Sequence, residues 1–232
     1  MKAIILAGGL GTRLRPLTYS TPKALIPVQG KTLTEHVIDV LKKLEINDIT
    51  LSISYMADKI KEYFGNGEKF NLNISYAIEK VPLGTAGPLI LLPKIQETFV
   101  MVNGDNLFNL DFKKMLEQHK ETKAALTIAL TKVPDPSQFG VAKLENNKIL
   151  EFVEKPKENP PSNWINSGYY IIEPEVFDLV KGKEFAMMER YVFPELAKAG
   201  KLFGYKDDGQ WFDTGTFENY ERVKKEWNIT TN

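Results

Sequence analysis

Cysteine is absent from the 232 residues. Disulfides, thiolate metal sites and cysteine nucleophiles are therefore excluded. Histidine is scarce: His36 and His119 are the only two. A multi-histidine metal centre is excluded, and neither residue stands in a motif that would make it a general base. An excess of either charge is missing as well, with 30 Lys+Arg against 30 Asp+Glu. A net charge of zero gives no global attraction to nucleic acid or to an acidic membrane, and leaves room only for a local basic pocket. No apolar run approaches the ~20 residues of a membrane span. The apolar stretch at residues 2–7 is too short for a secretory leader, and Gly8-Gly9 breaks it. The expectation is a cytoplasmic protein without nucleic-acid or membrane partners. A chain of this length can bury about 70% of its unfolded surface and needs no covalent staples.

The patterning alternates strands with helices. KAIILA at residues 2–7 suits a strand buried on both faces. Thr32-Leu33-Thr34-Glu35 has capping-box spacing, and Leu33, Val37, Val40, Leu41 and Leu44 follow at helical spacing. Strands are predicted at 49–54, 73–78 and 98–102, and helices at 57–64 and 85–92. This predicts an α/β fold with a mostly parallel central sheet flanked by helices. After Asp111 the pattern shifts to a helix at 112–121 and a strand at 124–130. Two runs, 139–144 and 148–153, follow around Glu145-Asn146-Asn147, a hairpin turn. A strand at 165–172 and helical stretches near Val176, at 188–199 and at 217–227 complete the chain. No repeat or linker stands out. The reading is one domain over 1–232, with a first part over about 1–110 and a small second-half lobe over about 111–232.

Four segments could carry chemistry. Gly8-Gly9-Leu10-Gly11-Thr12-Arg13 follows the first buried strand, where glycines let backbone N–H groups approach phosphates. It is neither a P-loop, since no Gly-Lys-Ser/Thr follows, nor a dinucleotide fingerprint, since Leu14 stands at the third glycine position. Arg13, Arg15 and Lys23 add three cations to this loop and suit a polyphosphate. Asn103-Gly104-Asp105 ends an apolar strand; Asp105 is either a Mg²⁺ ligand or a turn residue bonded to its own backbone. In Glu154-Lys155-Pro156, Lys155 is either a phosphate ligand or a solvated lysine. In Trp211-Phe212-Asp213-Thr214-Gly215, Asp213 is either a second metal ligand or the N-cap of the last helix.

The opening AIILAGGLGTRLRPLTYSTPKALIPV, with VNGD, FVEKP, INSGYYI and WFDTGT in that order, resembles the sugar-1-phosphate nucleotidyltransferase family from Met1 to about Tyr220. Ala24 stands where a second proline is common. Glu79, the run Pro82–Leu89, Tyr55-Met56 and ERYVFP at 189–194 are similar to the guanylyltransferase branch that acts on mannose 1-phosphate. No C-terminal β-helix repeat occurs up to Asn232. The resemblance implies a Rossmann-like nucleotidyltransferase fold whose second-half lobe binds sugar. It also implies Mg²⁺-dependent reaction of a nucleoside triphosphate with a sugar 1-phosphate, giving an NDP-sugar and pyrophosphate, with GTP and mannose 1-phosphate the foremost pair.

The family's roles transfer by position. Leu6, Ala7, Gly8, Gly9, Gly11, Thr12, Arg13 and Asn103 would bind nucleotide, with Glu79, Gly84 and Thr85 at the base. Arg13, Lys23, Asp105 and Asp213 would be catalytic, and Asp105 and Asp213 would hold Mg²⁺. Lys23, Gly140, Glu154, Lys155 and Asn166 would bind the sugar phosphate. Glu79 could accept two hydrogen bonds from guanine, or be a surface charge. Alternatives within the resemblance are a UTP- or dTTP-dependent enzyme acting on glucose, N-acetylmuramate or heptose phosphate, and a non-catalytic regulatory subunit that binds nucleotide sugar. A homo-oligomer is compatible with all of them.

Overall fold

The computed structural model describes residues 1–228. The fold is mixed α/β, and the chain divides into two compact units. The first holds Met1–Val81, Val102–Leu110 and the described residues from Gly209 onward; the second holds Pro82–Met101 and Asp111–Asp208.

In the first unit, strands Asn73–Ile78, Asp48–Ile53 and Lys2–Leu6 lie side by side and parallel. Ala3, Ile4, Ile5, Ile49, Leu51 and Ile53 are buried, as an apolar run covered on both faces requires. The capping box forms as read: Thr32 accepts the Glu35 N–H, and Glu35 takes the Thr32 N–H at 2.6 Å. Helix Leu33–Lys42 follows. Helix Ala57–Phe64 stops where Gly65 takes φ 55°. Two three-residue strands, Asn106–Phe108 and Trp211–Asp213, pair antiparallel. They are too short to show a period in the sequence. Helix Phe217–Glu226 follows, and Tyr220 Oη donates to the Pro27 carbonyl at 2.8 Å.

His36 is structural. Trp227 Nε1–H donates to its Nδ1 at 3.3 Å, which leaves Nε2 protonated to donate to the Val28 carbonyl at 2.8 Å.

In the second unit the strand order is Trp164–Ile172, Leu126–Lys132, Leu202–Lys206, Lys148–Glu154, Gly140–Glu145. The outer two also pair at Ile165↔Val141. Leu202–Lys206 runs parallel to Leu126–Lys132, whereas Lys148–Glu154 pairs antiparallel with Leu202–Lys206 and with Gly140–Glu145, and Trp164–Ile172 pairs antiparallel with Leu126–Lys132. The three adjacent strands of the first unit are all parallel, as read from strand–helix alternation, and the second unit adds this parallel pair. The 139–144 and 148–153 runs form the expected hairpin, with Lys148 opposite Glu145 and Asn146 at φ 54°.

The helix read at 85–92 covers only Gly87–Leu91. Gly84 and Thr85 are instead held by the segment near Ala186: Ala186 N–H donates to Leu83 O at 2.9 Å, and Ala86 N–H to Ala186 O at 3.0 Å. Likewise, the stretch read as one helix at 188–199 opens with a π-turn, Met188–Val192, before helix Phe193–Lys198.

Candidate active site

The C-terminal ends of the three parallel strands lead into Ala7–Gly9, Ser54-Tyr55-Met56 and Glu79. This edge of an open parallel sheet is where α/β folds bind ligands. Ala7 N–H donates to Ser52 O at 2.8 Å and so extends the first strand by one residue. A Cβ on Gly8 would lie 3.1 Å from the Ser54 nitrogen, so the turn passes close to the neighbouring strand end. Gly11 stands at φ 61°, where an added Cβ would meet Thr18 Cγ2 at 2.7 Å. Thr18 Oγ1 in turn donates to the Gly11 carbonyl at 2.8 Å. The loop therefore folds back on itself, with Thr12 and Arg13 in a single turn of 3-10 helix and both exposed. Arg15 lies 5.1 Å from the centroid of the Tyr19 ring and stacks there.

Lys23 is buried and reaches Asp105, its Nζ 2.5 Å from Oδ2. The Asn103-Gly104-Asp105 turn is fixed by Gly104 N–H, which donates to Leu6 O at 2.9 Å. A Cβ on Gly104 would sit 2.8 Å from that same oxygen. Asp213 is brought beside this turn by the short ladder in which it pairs with Asn106. Thr214 Oγ1 donates to the Asp105 carbonyl at 2.6 Å and locks the two segments together.

Asp213 does not cap the last helix; Thr216 does, accepting the Asn219 N–H. Instead Asp213 Oδ1 accepts the Gly215 N–H at 2.8 Å. A side chain on Gly215 would strike Arg13 Nη2 and Asp213 Oδ1, both at 2.7 Å, so the guanidinium and the carboxylate flank this glycine. Burial pushes the Asp213 carboxyl above its ordinary range and the Asp105 charge adds to this. Lys23, the Gly215 N–H and Arg13 oppose it. Two carboxylates, one lysine and one arginine thus converge beside the glycine turn.

That donor set fits a hard divalent cation. Among the described residues no group of three or more His, Cys, Asp or Glu side chains could hold a metal. The protein would therefore offer two carboxylates and leave the remaining positions to phosphate and water, the usual habit of Mg²⁺. Glu79 belongs to the same unit. Its Oε1 accepts the Ser52 hydroxyl at 2.9 Å, which orients the carboxylate at the strand ends.

The second unit gathers another set. Gly140 and Glu154 are ladder partners. A Cβ on Gly140 would run into the Phe152 ring and lie 2.9 Å from Glu154 Oε2. Lys155 takes φ 48°, and its exposed ammonium stands 3.5 Å from Glu154 Oε1. Asn166 sits at a register shift in its strand, with Nδ2 donating to Tyr170 Oη at 2.8 Å and Oδ1 accepting Gly168 N–H at 2.9 Å. Thr85 turns inward: its hydroxyl donates to Glu189 Oε2 at 2.6 Å and accepts the Met188 N–H at 2.8 Å. His119 lies elsewhere, between Thr127 and Glu173, and burial holds its pKa below the usual value.

The family model for nucleotidyl transferases matches residues 2–228. The chain belongs to that family. Nucleotidyl transferases generally use a divalent metal.

Among its relatives, the chain is 40% identical over 222 residues to the mannose-1-phosphate guanylyltransferase catalytic subunit beta of Xenopus tropicalis, covering 93% of this chain and 61% of that protein. It is 37% identical over 225 residues to the mannose-1-phosphate guanylyltransferase of Mycobacterium tuberculosis, covering 95% and 62%. The chain thus spans about three-fifths of the length of these relatives. Among solved structures, a candidate glucose-1-phosphate thymidylyltransferase from Bacillus anthracis, crystallised with sucrose, superposes with a TM-score of 0.87 at 32% identity, over 99% of this chain and 97% of that one. HddC from Yersinia pseudotuberculosis complexed with GMP-PN gives 0.80 at 26% identity, over 98% and 99%.

The sequence did not single out Thr214, Asn106, Ser52 or Glu189. Thr214 and Glu189 were legible only as parts of WFDTGT and ERYVFP, and the other two carry no local signal.

Proposed function

We propose that the chain transfers a guanylyl group from GTP to mannose 1-phosphate, giving GDP-mannose and pyrophosphate. The observation that carries this reading is the convergence of Arg13, Lys23, Asp105 and Asp213 beside the Gly8–Gly11 turn, at the C-terminal ends of parallel strands. That arrangement suits a polyphosphate and its cation. The names of the relatives at 37–40% identity favour mannose and guanine.

In the reaction, a phosphate oxygen of the sugar 1-phosphate forms a bond to the α-phosphorus. The bond to the bridging oxygen breaks, and pyrophosphate leaves with that electron pair. The nucleophile is already an anion, so no residue need remove a proton. This agrees with a site built without cysteine or a free histidine. Asp105 and Asp213 would hold Mg²⁺, which when bound neutralises charge on the reacting phosphates. Arg13 would steady the departing pyrophosphate, where charge grows. Lys23 would leave Asp105 for a phosphate oxygen once a cation takes its place. The backbone at Leu6, Ala7, Gly8, Gly9 and Gly11, with Thr12 and Asn103, would line the nucleotide. Glu79, oriented by Ser52, would accept the N1–H and N2–H of guanine. In the second unit Gly140, Glu154, Lys155 and Asn166 would take the sugar phosphate.

A thymidylyl reading is favoured by one observation, the likeness to a structure described as a thymidylyltransferase. The test is KM and kcat for GTP, UTP and dTTP against mannose, glucose, N-acetylmuramate and heptose 1-phosphates. GTP with mannose 1-phosphate should give the highest kcat/KM. A preference for dTTP or UTP would keep the chemistry and reject the role given to Glu79.

A further inference from the structure

Glu189 stands among the second-unit residues just described, yet the reading above gives it no role. Three observations meet at this side chain. First, it is pinned: Oε2 accepts the Thr85 hydroxyl at 2.6 Å, and Thr85 itself takes the Met188 N–H at 2.8 Å. The Gly84 turn behind Thr85 is fixed too, because a Cβ there would strike the Ala186 carbonyl. Second, Glu189 rides on the π-turn Met188–Val192, a distortion that is frequent at functional sites. The next residue, Phe193, packs edge-on to Phe152 at 4.9 Å and against Tyr170 at 5.8 Å. Phe152 lies two residues before Glu154 on its strand, and Tyr170 holds Asn166. The turn is thus seated on the wall that carries Gly140, Glu154 and Asn166. Third, burial raises the Glu189 carboxyl above its ordinary range; the charge of Glu154 raises it further, and Thr85 and Lys155 oppose. The pair assigned to the sugar phosphate is therefore close enough to be felt.

A mere anchor for Thr85 would not need a charge, since a glutamine carbonyl accepts the same hydroxyl. A half-buried ionised carboxylate costs stability, and it is useful where it meets a donor that arrives with a ligand. The hydroxyls of a sugar are such donors. We propose that Glu189 is a specificity-determining residue of the sugar-phosphate site, fixed by Thr85 so that its carboxylate accepts a sugar hydroxyl. The proposal rests on the reading of the chain as a sugar-1-phosphate nucleotidyltransferase.

The test compares wild type with Glu189→Gln and Thr85→Val in steady-state kinetics and thermal melting. With Glu189→Gln, KM for the sugar 1-phosphate should rise about tenfold or more, while KM for the triphosphate stays within about twofold. The melting temperature should hold or rise, because a buried charge is gone. Thr85→Val keeps the carboxylate but releases it, so the same KM should rise by a smaller factor. An unchanged sugar KM in Glu189→Gln overturns the proposal. So does a raised triphosphate KM together with a lower melting temperature, which would make Glu189 an anchor only. A wild-type protein that turns over none of the sugar phosphates overturns the functional reading, and the proposal with it.

Discussion

Lys23 Nζ lies 2.5 Å from Asp105 Oδ2, and the lysine side chain is only 10% exposed. Lys23 also opposes the rise that burial and Asp105 impose on the pKa of the neighbouring Asp213. One buried ammonium thus supplies the positive charge that two carboxylates require when no cation is bound. If Asp105 holds the cation as proposed, lysine and metal compete for it. Hydrogen bonds to charged groups are worth roughly 1.5–3 kcal/mol, and 1.4 kcal/mol is a factor of ten. Lys23→Met should therefore bind Mn²⁺ about tenfold or more tightly in the absence of nucleotide, measured by titration with paramagnetic resonance detection. Weaker binding than wild type would show that the lysine does not compete.

Arg13 is the cation placed across Gly215 from Asp213. Removing a group that stabilises transition-state charge typically costs ~3–4 kcal/mol, so Arg13→Ala should lose about 10²–10³ in kcat. Arg15 is a control. It stacks on Tyr19, and Arg15→Ala should leave kcat within a few-fold of wild type. Equal losses in the two variants would contradict the role given to Arg13.

Asp213 should cost the folded protein stability at neutral pH. Burial first, and the Asp105 charge second, raise its carboxyl pKa in the folded state. The stability linked to this group is then complete below its unfolded pKa and is lost as pH rises through the folded value. In the presence of a chelator, Asp213→Asn should raise the melting temperature at pH 7–8. The gain is on the order of 2–4 °C for each kcal/mol relieved, and it should shrink as pH falls toward 4. The same variant should be nearly inactive. A lower melting temperature at neutral pH would reject this assignment of cost.

Gly104→Ala tests the backbone that presents Asp105. Its Cβ would stand 2.8 Å from the Leu6 carbonyl, which is backbone and cannot swing away. Shifts of this kind cost about 1–3 kcal/mol. The variant should melt lower and bind triphosphate more weakly by calorimetry. A variant with native affinity would show that the turn has slack.

The long periodic segments were legible in the sequence because their faces are uniform. The capping box at Thr32 and Glu35 named its helix, and KAIILA named a doubly buried strand. What escaped was set by tertiary contact. Trp211–Asp213 is a three-residue strand only because Asn106–Phe108 pairs with it, and that pairing is what carries Asp213 to Asp105. The helix start at Thr85 failed because Ala186 and Glu189 hold the loop in another shape. The candidate site was readable as motifs, through Gly8 to Lys23, VNGD and WFDTGT, but not as distances. Glu189 had no signal at all beyond its place in ERYVFP.

The central claim is that the chain makes an NDP-sugar by releasing pyrophosphate. The most direct measurement is phosphorus NMR of a reaction containing GTP, mannose 1-phosphate, Mg²⁺ and the protein. Pyrophosphate and GDP-mannose should accumulate in equal amounts, and neither should form without the sugar phosphate. Release of GDP and inorganic phosphate, or no turnover by folded protein that still binds GDP-mannose, would contradict it.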